Sequence, residues 1–284
     1  MVKIYEAIEH AEIEALSGEP EVIPPRPKVT SSSAVAGEKL VSLVQPKSLA
    51  AEQFRKLRTH LLRWKISDEP VKTILVTSAT HDEGKTFVAA NLAVGIAHDL
   101  HAHALLVDCD LRNPSVANQF GFQDGGGLSG YLTSGESLSK LFLKTKLEKL
   151  TLLPGGKIQD NPTELIASKK MEALVQELKS RYSDRYIIFD STPLLTASES
   201  EVLSKFIDGI VIVVRAGTTT REMVRQSLSF IDKAKIVGFV LNDLKFRSHG
   251  LNCRYFGSNG YDNPYCRGNG RRTSLKGWIP RSRE

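Results

Sequence analysis

Two hydrophobic rhythms alternate along most of the chain. Short, continuous apolar runs occur at residues 73–78, 104–107, 150–153, 186–189, 210–214 and 236–241. Between most of them lie stretches with apolar residues at helical spacing, at 86–98, 170–181 and 220–233. Continuous apolar strands separated by helices predict an α/β domain, with a doubly wound, mainly parallel sheet covered by helices on both faces. Helical periodicity also marks residues 48–64, through Leu49, Phe54, Leu57, Leu61 and Leu62.

The ends follow other patterns. Residues 3–16 carry Ile4, Ala7, Ile8, Ala11, Ala15 and Leu16 at helical spacing, which predicts a short amphipathic helix. Pro20, Pro24, Pro25, Pro27 and the run Ser31-Ser32-Ser33 then read as a disordered linker. Beyond Asn242 the rhythm stops, and residues 245–284, rich in Gly, Asn, Arg and Ser, read as a flexible tail. The expected organisation is therefore a helix plus linker over 1–46, a folded domain over 47–244, and a tail over 245–284.

Composition narrows the setting. At 284 residues, with 41% hydrophobic and 25% charged residues, the chain suits a water-soluble fold with a sizeable core. No apolar run approaches the roughly 18 residues needed to span a bilayer. The start is too acidic and too weakly apolar for a secretory signal. Cys109, Cys253 and Cys266 form no CxxC pair, so neither a disulfide framework nor a zinc site is expected, and the protein is read as cytoplasmic. The net charge is +6, but residues 245–284 carry +7 and the remainder −1. With a neutral body and a charged tail, no nucleic-acid partner is expected.

The candidate chemistry lies where strands end. The run at 73–78 leads through Ala79-Thr80-His81-Asp82-Glu83-Gly84-Lys85-Thr86-Phe87 into a helix rich in Ala, Leu and Val. Strand, loop ending in Gly-Lys-Thr, and helix together form a P-loop: backbone N–H groups cradle phosphate, Lys85 reaches the β and γ phosphates, and the Thr86 hydroxyl holds Mg2+. The first glycine of the general pattern is Ala79 here. The run at 104–107 ends in Asp108-Cys109-Asp110-Leu111-Arg112, and that at 186–189 in Asp190. Ligands of a doubly wound sheet bind beyond the C-terminal ends of its strands. Asp108, Asp110 and Asp190 are thus candidates to hold magnesium or accept a proton beside the loop.

These segments together resemble the bacterial tyrosine kinases of capsule and exopolysaccharide assembly, relatives of the partitioning ATPases within the P-loop superfamily. The resemblance covers roughly residues 46–244. It includes the Asp-rich motif 105–112, Glu52-Gln-Phe-Arg55-Lys-Leu-Arg58 (similar to the family's ExxRxxR helix), Asn161-Pro162-Thr163-Glu164-Leu165 (similar to its NPxEL segment), and 238–242, which ends in Asn242. Partitioning ATPases carry an extra lysine early in the loop, where this chain has Thr80.

The resemblance implies phosphoryl transfer from Mg-ATP to tyrosine. Asp108 would be base and magnesium-shell ligand, and Asp110 and Asp190 would complete the metal environment. Arg112 would organise the acidic cluster. Asp82, Glu83, Gly84, Lys85, Thr86 and Phe87 would line the nucleotide, with Asn242 at the adenine. Glu52, Arg55 and Arg58 read as an internal ion pair on one helix face, and the resemblance makes them a ring-forming subunit contact. Tyr255, Tyr261 and Tyr265, three of the seven tyrosines, resemble an autophosphorylation cluster. The implied partners are a membrane-anchored activator of the chain-length-determinant type, which would bring the protein to the inner face of the plasma membrane, and a phosphotyrosine phosphatase.

The chain departs from the family at three places. Asp82 stands where the family usually has glycine, Glu199 where it often has aspartate, and one proline follows Asp190 instead of two. Asp tolerates positive φ better than most residues. An outward-facing Asp82 would be harmless, whereas one facing the phosphates would repel ATP. The alternatives to a kinase are a positioning ATPase and a nucleotide-binding scaffold without catalysis.

Overall fold

The computed structural model describes residues 39–66, 68–123, 125–181 and 184–244. The expected N-terminal helix at 3–16, most of the linker, and the tail with Tyr255, Tyr261 and Tyr265 lie outside the described residues.

The main sheet has seven strands in the order β5-β6-β4-β7-β3-β8-β9. They are β3 (Thr73–Ser78), β4 (His103–Asp108), β5 (Leu143–Lys144), β6 (Leu150–Leu153), β7 (Arg185–Asp190), β8 (Gly209–Arg215) and β9 (Ile236–Asn242). Only β5, on one edge, runs antiparallel, against β6. A small hairpin, β1 (Lys65–Ile66) with β2 (Glu69–Pro70), precedes the sheet. All six expected strands are present. Their apolar runs are continuous because both faces are covered: Ile74 and Val76 face one core, Leu75 the other, and all three are fully buried.

One face is covered by α3 (Lys85–Ala97), and α2 (Leu49–Arg63) packs over α3. Being sandwiched between sheet and helix explains why α3 is apolar nearly all round. Phe54 of α2 meets Phe87 of α3 edge to face, with ring centroids 5.7 Å apart. The Ser48 hydroxyl caps α2 by accepting from Ala51 N at 3.1 Å. Within the stretch expected to be linker, α1 (Val41–Val44) forms and Leu40 is buried. The buried Asn91 of α3 ties this segment down: its Oδ1 accepts from Ser42 N and its Nδ2 donates to the Lys39 carbonyl, both at 2.9 Å.

Periodicity does not reveal several short helices: α4 (Val116–Gln119) adds Val116 to the core on the α3 side, while the opposite face carries α5 (Leu128–Ser134), α6 (Leu138–Leu141), α7 (Pro162–Ile166) and α9 (Glu199–Ser204), around the longer α8 (Lys169–Arg181). The helix expected over 220–233 is shorter. It is α10 (Arg221–Ser227), and a separate 3-10 turn follows at Lys233–Lys235. Ser227 and Ser229 hydroxyls bond back to the carbonyls of Val224 and Gln226, and Asp232 caps the new turn through Ala234 N. Such local side-chain bonds compete with the helix ladder. Among the described residues no helix is long and apolar enough to cross a membrane.

Candidate active site

Strand register sets the centre of the site. Asp108 and Asp190 are the last residues of β4 and β7 and are paired in register. β3, on the other side of β7, delivers the P-loop to the same edge. Asp108 and Asp190 are both buried, at 1% and 0% exposure.

Their surroundings differ. Asp108 Oδ2 accepts from Ser115 N at 2.9 Å and Val116 N at 3.0 Å, and its Oδ1 from Asp110 N at 3.2 Å. Burial nevertheless pushes its carboxyl up to about 7, against those hydrogen bonds. Neither oxygen of Asp190 meets a donor in hydrogen-bonding geometry. Burial first, then the Asp108 carboxylate, raises Asp190 well above the usual range, while the nearby Thr86 hydroxyl and Lys85 charge offset part of the rise. A buried carboxylate with two unpartnered oxygens beside a lysine and a threonine is a place that favours a cation.

The loop itself is tightly braced. Gly84 has φ 91° and caps α3, and a Cβ there would lie 2.1 Å from Asn242 Nδ2. Glycine is required at this position on both counts. Asp82 also adopts positive φ, 59°, and is exposed. Glu83, at 1% exposure, folds back into the loop: its Oε2 accepts from Ala79 N at 2.9 Å, and its Oε1 from the hydroxyls of Thr80 at 3.0 Å and Thr219 at 2.5 Å. Its carboxylate is thus committed to the loop, leaving the backbone N–H as its means of meeting a ligand. The Phe87 ring is likewise committed, against Phe54 and the core, because the first turn of α3 is wedged between sheet and α2. Asn242 Nδ2 donates to the Glu83 carbonyl at 2.9 Å.

The remaining expected residues have identifiable partners. Asp110 Oδ1 accepts from Asn113 N at 3.0 Å, closing the turn after β4. Arg112 Nε and Nη2 both meet Glu199 Oε1, at 2.9 and 2.8 Å, and the Thr163 hydroxyl donates to the same oxygen at 3.0 Å. Glu199 is 1% exposed, so this triad joins the Asp-rich motif, α7 and α9 at one buried carboxylate. In α2, Arg55 pairs with Glu52, Nε to Oε2 at 2.7 Å, and also donates to the Pro46 carbonyl. Arg58 Nη1 reaches the Gly95 carbonyl of α3 at 3.2 Å. Burial and the surrounding carboxylates push the Cys109 thiol well above its ordinary value, which suits a packing role.

Sequence reasoning missed Thr219, Arg215 and Thr163, which reach the site from distant segments. The Gly155–Gly156 turn after β6 was missed too, and a Cβ on Gly155 would come within 3.4 Å of Asp108 Cγ. Among the described residues, no group of three or more His, Cys, Asp or Glu side chains is gathered so as to hold a metal unaided.

No protein-family model matches the chain. It is 33% identical over 212 residues to the tyrosine-protein kinase YwqD of Bacillus subtilis, covering 74% of this chain and 88% of that protein. To the putative tyrosine-protein kinase CapB of Staphylococcus aureus it is 29% identical over 215 residues, covering 75% and 92% respectively. Among solved structures, it superposes on the chimerical protein CapA2B2 with a TM-score of 0.68 at 29% identity, covering 83% of this chain and 99% of that one. The kinase domain of the Escherichia coli tyrosine kinase ETK gives a TM-score of 0.65 at 28% identity, covering 75% and 84%.

Proposed function

The chain belongs to the bacterial tyrosine-protein kinases, and on that footing we propose that it transfers the γ-phosphoryl group of ATP to tyrosine hydroxyls, including Tyr255, Tyr261 and Tyr265 of its own tail. The observation that carries this reading is Asp190: buried, paired in register with Asp108, and with both oxygens unpartnered beside the Gly-Lys-Thr loop. Magnesium keeps several waters and takes one or two carboxylates plus substrate phosphates, so the donor set here fits it without an all-protein cage. Thr86 and Asp190 would hold it, with Asp108 in its shell, and when bound it would neutralise charge on the phosphates.

The protein's own groups do the rest. N–H groups of the loop and the N-terminus of α3 orient the phosphates, and Lys85 spreads over the β and γ oxygens. Asp108, held in place by the Ser115 and Val116 N–H groups, would accept the tyrosine proton. Glu199 and Thr163 hold Arg112 at the rim of the cluster. Asn242 borders the position assigned to adenine.

One observation favours the kinase over the positioning ATPase. Thr80, at the position of the partitioning lysine, spends its hydroxyl on Glu83 inside the loop. We further assign the protein to control of capsule or exopolysaccharide synthesis, in rings built through the Glu52–Arg58 face of α2. A membrane-anchored activator would recruit it to the inner face of the plasma membrane, and a phosphotyrosine phosphatase would reset it. Each phosphotyrosine adds about −1.5 to −2 charges, so full modification would largely cancel the tail's +7. Replacing Tyr255, Tyr261 and Tyr265 together by Phe tests the tail assignment: phosphotyrosine in the protein should nearly vanish, and an unchanged level would remove it.

A further inference from the structure

On its β8–β9 side the P-loop is pinned by Arg215 and Asp243, which the chemistry above does not use, together with Asn242. Arg215, the last residue of β8, donates from Nη1 to the Asp82 carbonyl at 3.2 Å. Its Nε and Nη2 are held by Asp243 Oδ2, at 3.0 and 2.9 Å. Asn242, the register partner of Arg215 on β9, holds the next carbonyl, that of Glu83. Two successive carbonyls of the loop are therefore fixed toward the β8–β9 side.

The consequence follows from peptide geometry. The described residues contain no cis peptide bond, and in a planar trans peptide the carbonyl of one residue and the N–H of the next point in opposite directions. Fixing the Asp82 and Glu83 carbonyls outward therefore aims the N–H groups of Glu83 and Gly84 inward, to the concave side of the loop. The device matters more here because Asp82 sits at φ 59°, where a residue with a Cβ persists only if its surroundings hold it. Arginine suits the task because its planar fork grips one carboxylate and still has a donor to spare. The Arg215–Asp243 pair is more than one third exposed on both sides, so its contribution to overall stability is small.

We propose that Arg215, clamped by Asp243, is a positioning residue for nucleotide binding: it holds the Asp82 carbonyl and so aims the loop's N–H groups at the phosphates. This rests on the nucleotide site proposed above. The test is calorimetric binding of ADP and a non-hydrolysable ATP analogue, with magnesium, to the full chain carrying Arg215→Ala, Arg215→Lys, Asp243→Asn or Arg215→Ala with Asp243→Asn. Losing a hydrogen bond from a charged donor predicts about tenfold weaker binding for Arg215→Ala. Arg215→Lys should be nearly as weak, since an ammonium cannot grip Asp243 and the loop together, and Asp243→Asn should fall between. The double variant should be no weaker than Arg215→Ala. Unfolding midpoints should stay at the wild-type value, and in a kinase assay the loss should appear in KM for ATP with kcat retained. Wild-type binding with Arg215→Ala within twofold of it overturns the inference alone. Full affinity in Arg215→Lys also overturns it, because charge rather than positioning would then be at work. Absence of binding by the wild type overturns the nucleotide site and this inference with it.

Discussion

Gly84→Ala separates two costs that meet at one atom. The added Cβ would sit at φ 91° and only 2.1 Å from Asn242 Nδ2, whereas the other close atoms are 3.3 Å or more away. Holding a residue with a Cβ in left-handed geometry costs about 1–2 kcal/mol. Asn242 must also swing aside and surrender its bond to the Glu83 carbonyl, which costs about 1 kcal/mol. At 1.4 kcal/mol per factor of ten, the sum of about 2–3 kcal/mol predicts nucleotide binding weakened by roughly 30- to 150-fold. Asn242→Ala alone should lose the hydrogen bond, for an effect of about fivefold. Because Gly84→Ala already displaces that side chain, Asn242→Ala should add nothing on top of it. Titration of a fluorescent ATP analogue into the four proteins of this cycle measures the coupling, expected at about 1 kcal/mol. Strictly additive losses, or a Gly84→Ala affinity within twofold of wild type, would refute the close packing of Asn242 on the loop.

Two further outcomes follow from the buried carboxylates. Asp108 is raised from 3.8 to about 7, and Asp190 in the same direction, so the fold favours their protonated forms. Stability from these groups is complete below about pH 4 and is lost as pH rises through about 7. Nucleotide- and metal-free protein should therefore become easier to unfold in urea across that window. Asp108→Asn should show a flatter profile and be the more stable protein above pH 7; parallel profiles would count against the burial argument. Glu199→Ala removes the shared partner of Arg112 and Thr163. Since Arg112 is 53% exposed, the loss should be about 1–3 kcal/mol, below the 3–5 typical of a fully buried pair. A change within about 0.5 kcal/mol in urea unfolding would show that the triad adds nothing.

What was readable from the sequence was what depends on neighbours in the chain. The apolar runs at 73–78, 104–107 and 186–189 become the central strands, and the aspartates that end the last two are placed side by side by parallel pairing. What was not readable depends on distant segments meeting. Arg112 finds Glu199 from 87 positions away, and Thr219 reaches Glu83 from 136. Thr219 looks like an ordinary surface residue in one dimension, and nothing in one dimension pairs Arg112 with Glu199. Glu83 stands in the loop like a ligand-facing group, yet its carboxylate turns inward because the buried Ala79 N–H needs an acceptor. Phe87 follows Lys85 and Thr86, but the helical turn points its ring at the core. The short helices at 128–134 and 199–204 span fewer than two full turns or barely two, too little for a period to show.

The central claim is phosphoryl transfer to tyrosine at the Gly84-Lys85-Thr86 loop. Its most direct test is to incubate the purified full chain with Mg-ATP, with and without its candidate membrane-anchored activator, and to blot for phosphotyrosine beside Lys85→Met. The account predicts a signal in the wild type, increased by the activator and absent from Lys85→Met. A wild type that binds ATP yet gains no phosphotyrosine with the activator present, or an equal signal in Lys85→Met, would contradict it.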